Sequence, residues 1–323
     1  MEPTISLSGI RRSFDGVTAL DGVDLEVFGG EMFALVGPDG AGKTTLLRIL
    51  SAVLPPDQGN ATVLGRVLPK QRRELKPRIG YLSQGFSLYG DLSVDENLAF
   101  FAEIYGVKEY ADRREELLAF TRLEPFRGRL AGRLSGGMKK KLALACALIH
   151  RPELILLDEP TTGVDPVSRR DFWVILGELL HDRLTIVVAT PYMDEAERCG
   201  RVGLLDKGRF LTVGTASEVK EQIEGRVYEV ITPEPRKARA VVTEHGFPGL
   251  LELQAKGDRL HLRLTDAGGA SGDGRAAPRQ GAGGPEGGLR RLLEAGGVPV
   301  DAIRETAPTL ENLFISLVGE ERK

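Results

Sequence analysis

Residues Gly37-Pro38-Asp39-Gly40-Ala41-Gly42-Lys43-Thr44 follow the spacing G-x-x-x-x-G-K-[ST], after the apolar run Met32 to Val36 and before the helical run Thr45 to Leu50. Glycines at these positions let successive backbone N–H groups turn inward around phosphate, and the helix that follows presents its positive end to the same anion. Lys43 adds a point charge at the β- and γ-phosphates, and the Thr44 hydroxyl is a hard oxygen ligand suited to the octahedral shell of Mg²⁺. The chemistry expected is binding of a nucleoside triphosphate. Farther along, Leu154 to Leu157 read as a buried strand ending in two carboxylates, Asp158 and Glu159. Beside a triphosphate, Asp158 can hold the metal directly or through water, and Glu159 can orient and polarise an attacking water.

These residues need a scaffold, and 323 residues with 41% hydrophobic content suffice for about two cores. Strand-like and helical runs alternate from about residue 4 to 220, the pattern of an α/β domain with a largely parallel sheet. Leu154 to Leu157 and Thr185 to Ala189 read as strands buried on both faces, and Val202 to Val213 as a closing hairpin turning at Asp206 to Arg209. The first domain is placed at 1–225. From 226 to 323 the chain reads as a small α+β unit: a strand at Tyr228 to Ile231, a helix near Ala238 to Glu244, and a hairpin whose Leu260, Leu262 and Leu264 alternate with polar neighbours. Residues 267–288, rich in Gly, Ala and Pro, read as a flexible insertion. Leu310, Leu313, Phe314, Leu317 and Val318 set one apolar face of a last helix that starts at Pro308-Thr309.

A net charge of -3 points away from a polyanionic partner, so no nucleic acid is expected. Cys146 and Cys199 form no C-x-x-C, and the four histidines show no ligand spacing, so buried structural thiols in a reducing cytosol are expected. The start Met1-Glu2-Pro3-Thr4 has neither a basic n-region nor an apolar h-region, so no export signal is expected. Apolar runs such as Leu142 to Ile149 fall short of the ~20 residues that span a bilayer. At a membrane, another chain would supply the pore.

Between the phosphate loop and the acidic pair lies Leu134-Ser135-Gly136-Gly137-Met138, and here the chain resembles the nucleotide-binding subunit of an ATP-binding cassette (ABC) transporter, whose signature reads LSGGQ. The resemblance covers about residues 4 to 220 and implies a P-loop NTPase fold of the ABC ATPase kind with a helical subdomain at about 86–150, followed here by the C-terminal α+β accessory domain. It implies ATP contacts at Phe14, stacked on adenine, and at Gly37, Asp39, Gly40, Ala41, Gly42, Lys43, Thr44 and Thr45. Mg²⁺ would be held by Thr44, Gln84 and Asp158, with Glu159, Gln84 and Lys43 catalytic. Ser135, Gly136 and Gly137 would face the ATP of an opposite subunit, and Asp165 would lie on the D-loop crossing that interface.

Phe86 to Tyr105, containing Leu92 to Leu98, match the helical subdomain that receives the membrane subunit, and Ala307 to Phe314 look like the tail of exporter ATPases of the drug-resistance kind. Expected partners are therefore a transmembrane permease and a second ATPase, either another copy or a different chain, on the inner face of the cell membrane. Two residues depart from the family pattern. Asp39 stands where asparagine is usual, adding a negative charge near the phosphates that Lys43 and Mg²⁺ can offset. Pro191 stands where a switch histidine is expected and has no side-chain hydrogen-bonding group to offer the γ-phosphate, which predicts binding without fast turnover.

Three function classes fit: the ATPase engine of an exporter, a cassette ATPase working on ribosomes or DNA, and a degenerate regulatory subunit. The second usually needs two cassettes or a coiled-coil insertion, and the third is disfavoured by the intact Asp158-Glu159 pair. A GTPase is disfavoured because the chain has no N-K-x-D motif.

Overall fold

The computed structural model describes residues 2–85, 88–181, 184–265 and 284–320. The chain divides into two compact units, Met1–Ala216 and Ser217–Lys323, a division that falls ahead of the boundary expected at 225.

The described residues of the first unit form ten strands: β1 (Ile5–Phe14), β2 (Val17–Val27), β3 (Met32–Val36), β4 (Gln58–Val63), β5 (Arg66–Leu68), β6 (Ile79–Leu82), β7 (Leu154–Asp158), β8 (Thr185–Thr190), β9 (Arg201–Asp206) and β10 (Arg209–Gly214). Six of them form one sheet in the order β10-β9-β3-β8-β7-β6, parallel throughout except for the β9–β10 hairpin. Every residue of β3, β7 and β8 is buried, as expected of continuous apolar strands covered on both faces. Because β6, β7, β8 and β3 run the same way, their C-terminal ends deliver Gln84, Asp158, Pro191 and the 37–44 loop to one edge of the sheet.

A second sheet of this unit, order β2-β1-β4-β5, is wholly antiparallel, which the largely parallel reading did not anticipate. Its local cause is the two-residue turn Asp15-Gly16, both with positive φ (46° and 84°), which closes β1 onto β2 with Phe14 opposite Val17. The helix Lys43–Leu50 buries Leu46, Leu47, Ile49 and Leu50 in a core shared with both sheets. Between β6 and β7 the chain is helical, with Val94–Ile104, Ala111–Thr121 and Gly136–Leu148 as its main elements. Ser93 and Glu96 form a reciprocal capping box at the first of these.

The second unit holds β11 (Arg226–Ile231), β12 (Leu250–Lys256), β13 (Arg259–Leu264) and β14 (Ala302–Thr306) in the antiparallel order β12-β13-β11-β14. Helices Pro235–His245 and Gly284–Ala295 fall after β11 and β13, giving the β-α-β-β-α-β arrangement of a split βαβ fold. Tyr228, Val230, Leu260, Leu262 and Leu264 share one core with Val242 and Leu289 of the two helices. In the alternate register, Glu229 lies between His261 and Arg304.

Most of the expected 267–288 insertion lies outside the described residues, but 284–288 are helical rather than loop. Buried Leu289 and Leu293 anchor that helix, and its first turn extends back through Gly287 and Gly288 in spite of their low propensity. The last helix spans Leu310–Glu320, with Leu310 and Leu313 buried and Thr309 capping it by exchanging hydrogen bonds with Asn312.

Candidate functional site

Steric limits and backbone bonds from neighbouring segments shape the 37–44 loop. Gly42 takes φ 108°, and a Cβ there would stand 2.5 Å from Ala19 O, so only glycine fits. At Gly37 an added Cβ would meet Leu205 O at 2.1 Å. Ala41 is buried, and its carbonyl accepts from Gly208 N in the β9–β10 turn at 3.0 Å. Lys43 is buried, and its ammonium donates to Gly37 O (2.7 Å) and Pro38 O (2.9 Å), which keeps the charge at the loop's centre. Burial lowers the Lys43 pKa, while Glu159, Asp39 and Asp158 pull it back up. Asp39 is thus part of the charge balance of Lys43.

The acidic pair sits directly behind. The Thr44 hydroxyl donates to Asp158 Oδ1 at 3.0 Å, and the Tyr81 hydroxyl donates to Oδ2 at 3.3 Å. Burial raises the Asp158 pKa and, with the Asp158 charge, pushes that of Tyr81 up to about 12. Gln84 Nε2 donates to Glu159 Oε2 at 2.8 Å, and Thr162 Oγ1 donates to the same oxygen at 3.1 Å. Glu159 occupies the left-handed region at φ 48°, and its N–H donates to Ala189 O of β8 at 2.9 Å. Lys43, Thr44, Thr45, Asp39, Gly40, Gly42, Gln84, Glu159 and Pro191 line one open pocket of about 760 Å³ together with Ala19, Thr162 and Tyr192.

Phe14 is not among these lining residues. It stands at the β1–β2 turn, 40% exposed, with the Arg12 guanidinium 4.8 Å above its ring. Pro191 follows Thr190, whose hydroxyl donates to buried Glu195 Oε2 at 2.7 Å and accepts from Tyr192 N at 3.1 Å. Glu195 also accepts from Thr161 and from Arg169 Nε at 2.6 Å, and the Arg169 guanidinium lies 4.6 Å from the Tyr192 ring. The backbone on both sides of Pro191 is therefore fixed by a buried carboxylate.

Ser135 caps the helix Gly136–Leu148 by accepting from Met138 N at 3.3 Å, and it stays exposed at the helix's positive end. Gly137 permits close packing, since a Cβ there would fall 2.3 Å from Ser168 Cβ, and at Gly136 one would lie 3.4 Å from Gly163 O. Asp165 caps the helix Pro166–His181 by accepting from Val167 N and Ser168 N, bonds that hold its carboxyl below the usual range. The Ser135 turn and the Asp165 turn thus pack side by side, away from the lining of the 760 Å³ pocket.

The family described as ABC transporter matches residues 20–162. The daunorubicin resistance ATP-binding protein DrrA3 of Streptomyces coeruleorubidus is 32% identical, over all of this chain and 98% of that one. This chain belongs to the ABC transporter family. A Nod factor export ATP-binding protein I of Sinorhizobium fredii is 34% identical over 99% of this chain and 87% of that protein. The probable multidrug ABC transporter ATP-binding protein YbhF of Escherichia coli is 38% identical over 98% of this chain, which spans only 52% of that relative's length.

Among solved structures, an ATP-binding subunit of an ABC transporter superposes with a TM-score of 0.62 at 28% identity, covering 68% of this chain and 92% of that one. A dimeric ABC cassette in a post-hydrolysis state with ADP and Pi superposes with a TM-score of 0.59 at 26% identity, covering 65% and 98%. The first unit is thus an ABC ATPase cassette with the P-loop NTPase fold.

Thr44 and Asp158 offer the hard oxygens that Mg²⁺ takes, already 3.0 Å apart. Among the described residues no group of three or more His, Cys, Asp or Glu side chains could hold a metal alone. Sequence reasoning missed two buried charges of the cassette. Lys140, within the basic run Lys139 to Lys141, is buried and donates to Gln84 O at 2.8 Å, and Glu195 is buried beneath the switch position.

Proposed function

We propose that this chain binds MgATP and powers export through a membrane partner by ATP-driven closure of two cassettes, with its own P-loop site turning over slowly. The observation that carries this reading is the linked set Lys43, Thr44, Asp158, Glu159 and Gln84 around one pocket, with Pro191 lining the same pocket. Gln84 and Thr162 both donate to Glu159 Oε2, which leaves Oε1 to take the proton of an attacking water. Lys43 and the loop N–H groups bind and orient the phosphates. Thr44 and Asp158, with Gln84 adjoining, would hold Mg²⁺, which would supply neutralisation of phosphate charge.

Pro191 presents no donor to the γ-phosphate, so the geometry of attack rests on Glu159 and Gln84 alone. Ser135, Gly136 and Gly137 would then complete the site of a second cassette, which is either another copy or a different ATPase chain, across an interface that includes Asp165. Phe14 would carry the adenine. No helix among the described residues is long and apolar enough to cross a membrane. A separate permease would provide the passage, with this chain peripheral on the cytoplasmic face.

Steady-state hydrolysis by the full chain, beside Glu159→Gln and Pro191→His with ATP binding measured separately, tests the reading. ATP binding with slow turnover that Pro191→His accelerates is the expected result. Fast turnover in the unmodified chain would overturn the slow-site reading, and absence of ATP binding would overturn the whole.

A further inference from the structure

Lys140 lies one turn beyond Gly136 on the helix Gly136–Leu148, and its side chain is almost completely buried, at 2% exposure. Burying an ammonium costs free energy unless hydrogen bonds and opposite charge compensate it. Here Nζ donates to Gln84 O at 2.8 Å and lies 3.5 Å from Glu159 O, and the charges of Asp158 and Glu159 act on it. The two carbonyls belong to the two residues whose side chains meet at 2.8 Å in the lining of the pocket. Neither residue lies in regular structure: Gln84 follows β6, and Glu159 follows β7 in a left-handed conformation that a non-glycine side chain disfavours. A tether on each backbone is what such a pair requires to keep its alignment.

We infer that Lys140 is a positioning residue for hydrolysis, its ammonium joining the backbones of Gln84 and Glu159 to the helix that Ser135 caps. Motion of that helix is thereby transmitted to this chain's own hydrolytic pair as well as to whatever Ser135 faces. The inference rests on the reading of this site as hydrolytic, but its structural half stands independently of turnover.

The test uses the full chain carrying Lys140→Met, which keeps the length and removes the donor, and Lys140→Arg, which keeps the charge. Amide hydrogen exchange is followed at segments 81–85 and 158–162, with kcat and ATP affinity measured in parallel. Lys140→Met is expected to raise exchange in both segments about tenfold and to lower kcat about tenfold, with ATP affinity within about twofold. Lys140→Arg should recover most of both. Native exchange in both segments, or a native kcat, overturns the proposal. So does an equal loss of kcat, affinity and exchange protection throughout the cassette, which marks a merely structural role. If neither the native chain nor Pro191→His hydrolyses ATP, the hydrolytic reading fails while exchange still decides whether Lys140 joins the two backbones. Should Lys140→Met not fold, Lys140→Leu, which also removes the donor, takes its place with the same expected and overturning outcomes.

Discussion

The Gln84 side-chain amide donates to Glu159 Oε2 across 2.8 Å, joining residues 75 positions apart in sequence. The contact exists because β6 and β7 are parallel neighbours whose C-terminal ends finish side by side. It fixes the carboxylate's rotamer and leaves one oxygen for chemistry. Glu159→Gln is expected to lower kcat a hundredfold or more while ATP affinity stays within about threefold. Gln84→Ala, which frees the carboxylate without removing it, should cost about tenfold in kcat. Equal kcat losses in the two variants would show that Gln84 does more than orient Glu159.

Asp158 is buried beneath the phosphate loop, and burial raises its pKa. With the folded value above the unfolded one, the stability present at low pH is lost as pH rises through the folded value. Asp158→Asn should therefore raise the melting temperature of the nucleotide-free chain by about 3 °C at pH 7 and weaken MgATP binding. The gain should vanish below about pH 4, where the native side chain is protonated as well. Calorimetric scans between pH 4 and 8 check both the sign and the window.

Much of this arrangement is legible in the chain itself. The runs Met32 to Val36, Leu154 to Leu157 and Thr185 to Ala189 have no polar alternation, so strands buried on both faces follow directly, and the phosphate loop announces its own chemistry. The second unit's hairpin shows in the alternation of Leu260, Leu262 and Leu264. The burial of Lys140 and Glu229 does not show, because what makes a buried charge tolerable is a set of carbonyls or guanidiniums brought from distant strands. Composition misled at Gly284 to Gly288, where tertiary anchoring through Leu289 outweighs weak helix propensity.

Gly137 and Ser168 hold the signature turn against the neighbouring helix, with only 2.3 Å between Ser168 Cβ and the place a Cβ at 137 would occupy. Alanine at 137 gains about 1 kcal/mol in helix propensity but meets an overlap costing about 1–3 kcal/mol. A net loss of about 1 kcal/mol is expected for Gly137→Ala. Ser168→Gly in the same chain should relieve the overlap, giving a double-mutant coupling of about 1–2 kcal/mol by chemical denaturation. Additive effects would place the clash elsewhere.

In the second unit, Glu229 accepts from Arg259 Nη1 and Arg304 Nε at 2.6 Å each. Burial opposes its ionisation, but the two guanidiniums outweigh this and hold the carboxyl below the usual range. Its contribution to stability is present above the unfolded carboxyl pKa and is lost as pH falls through the lower folded value. Glu229→Gln is expected to cost about 2 kcal/mol at pH 7, read as faster hydrogen exchange in β11 and β13. The gap between native and variant chains should narrow below about pH 4.

The bond from Gly208 N to Ala41 O ties the nucleotide loop to a turn with no phosphate-binding residue of its own. That bond and the crowding at Gly42 restrict the loop's conformations, so less ordering entropy is left to be lost when ATP binds. Sequence changes in the 206–209 turn will then surface as altered nucleotide affinity. A screen for binding defects would recover them beside the glycines of the loop, as remote members of the same phenotype.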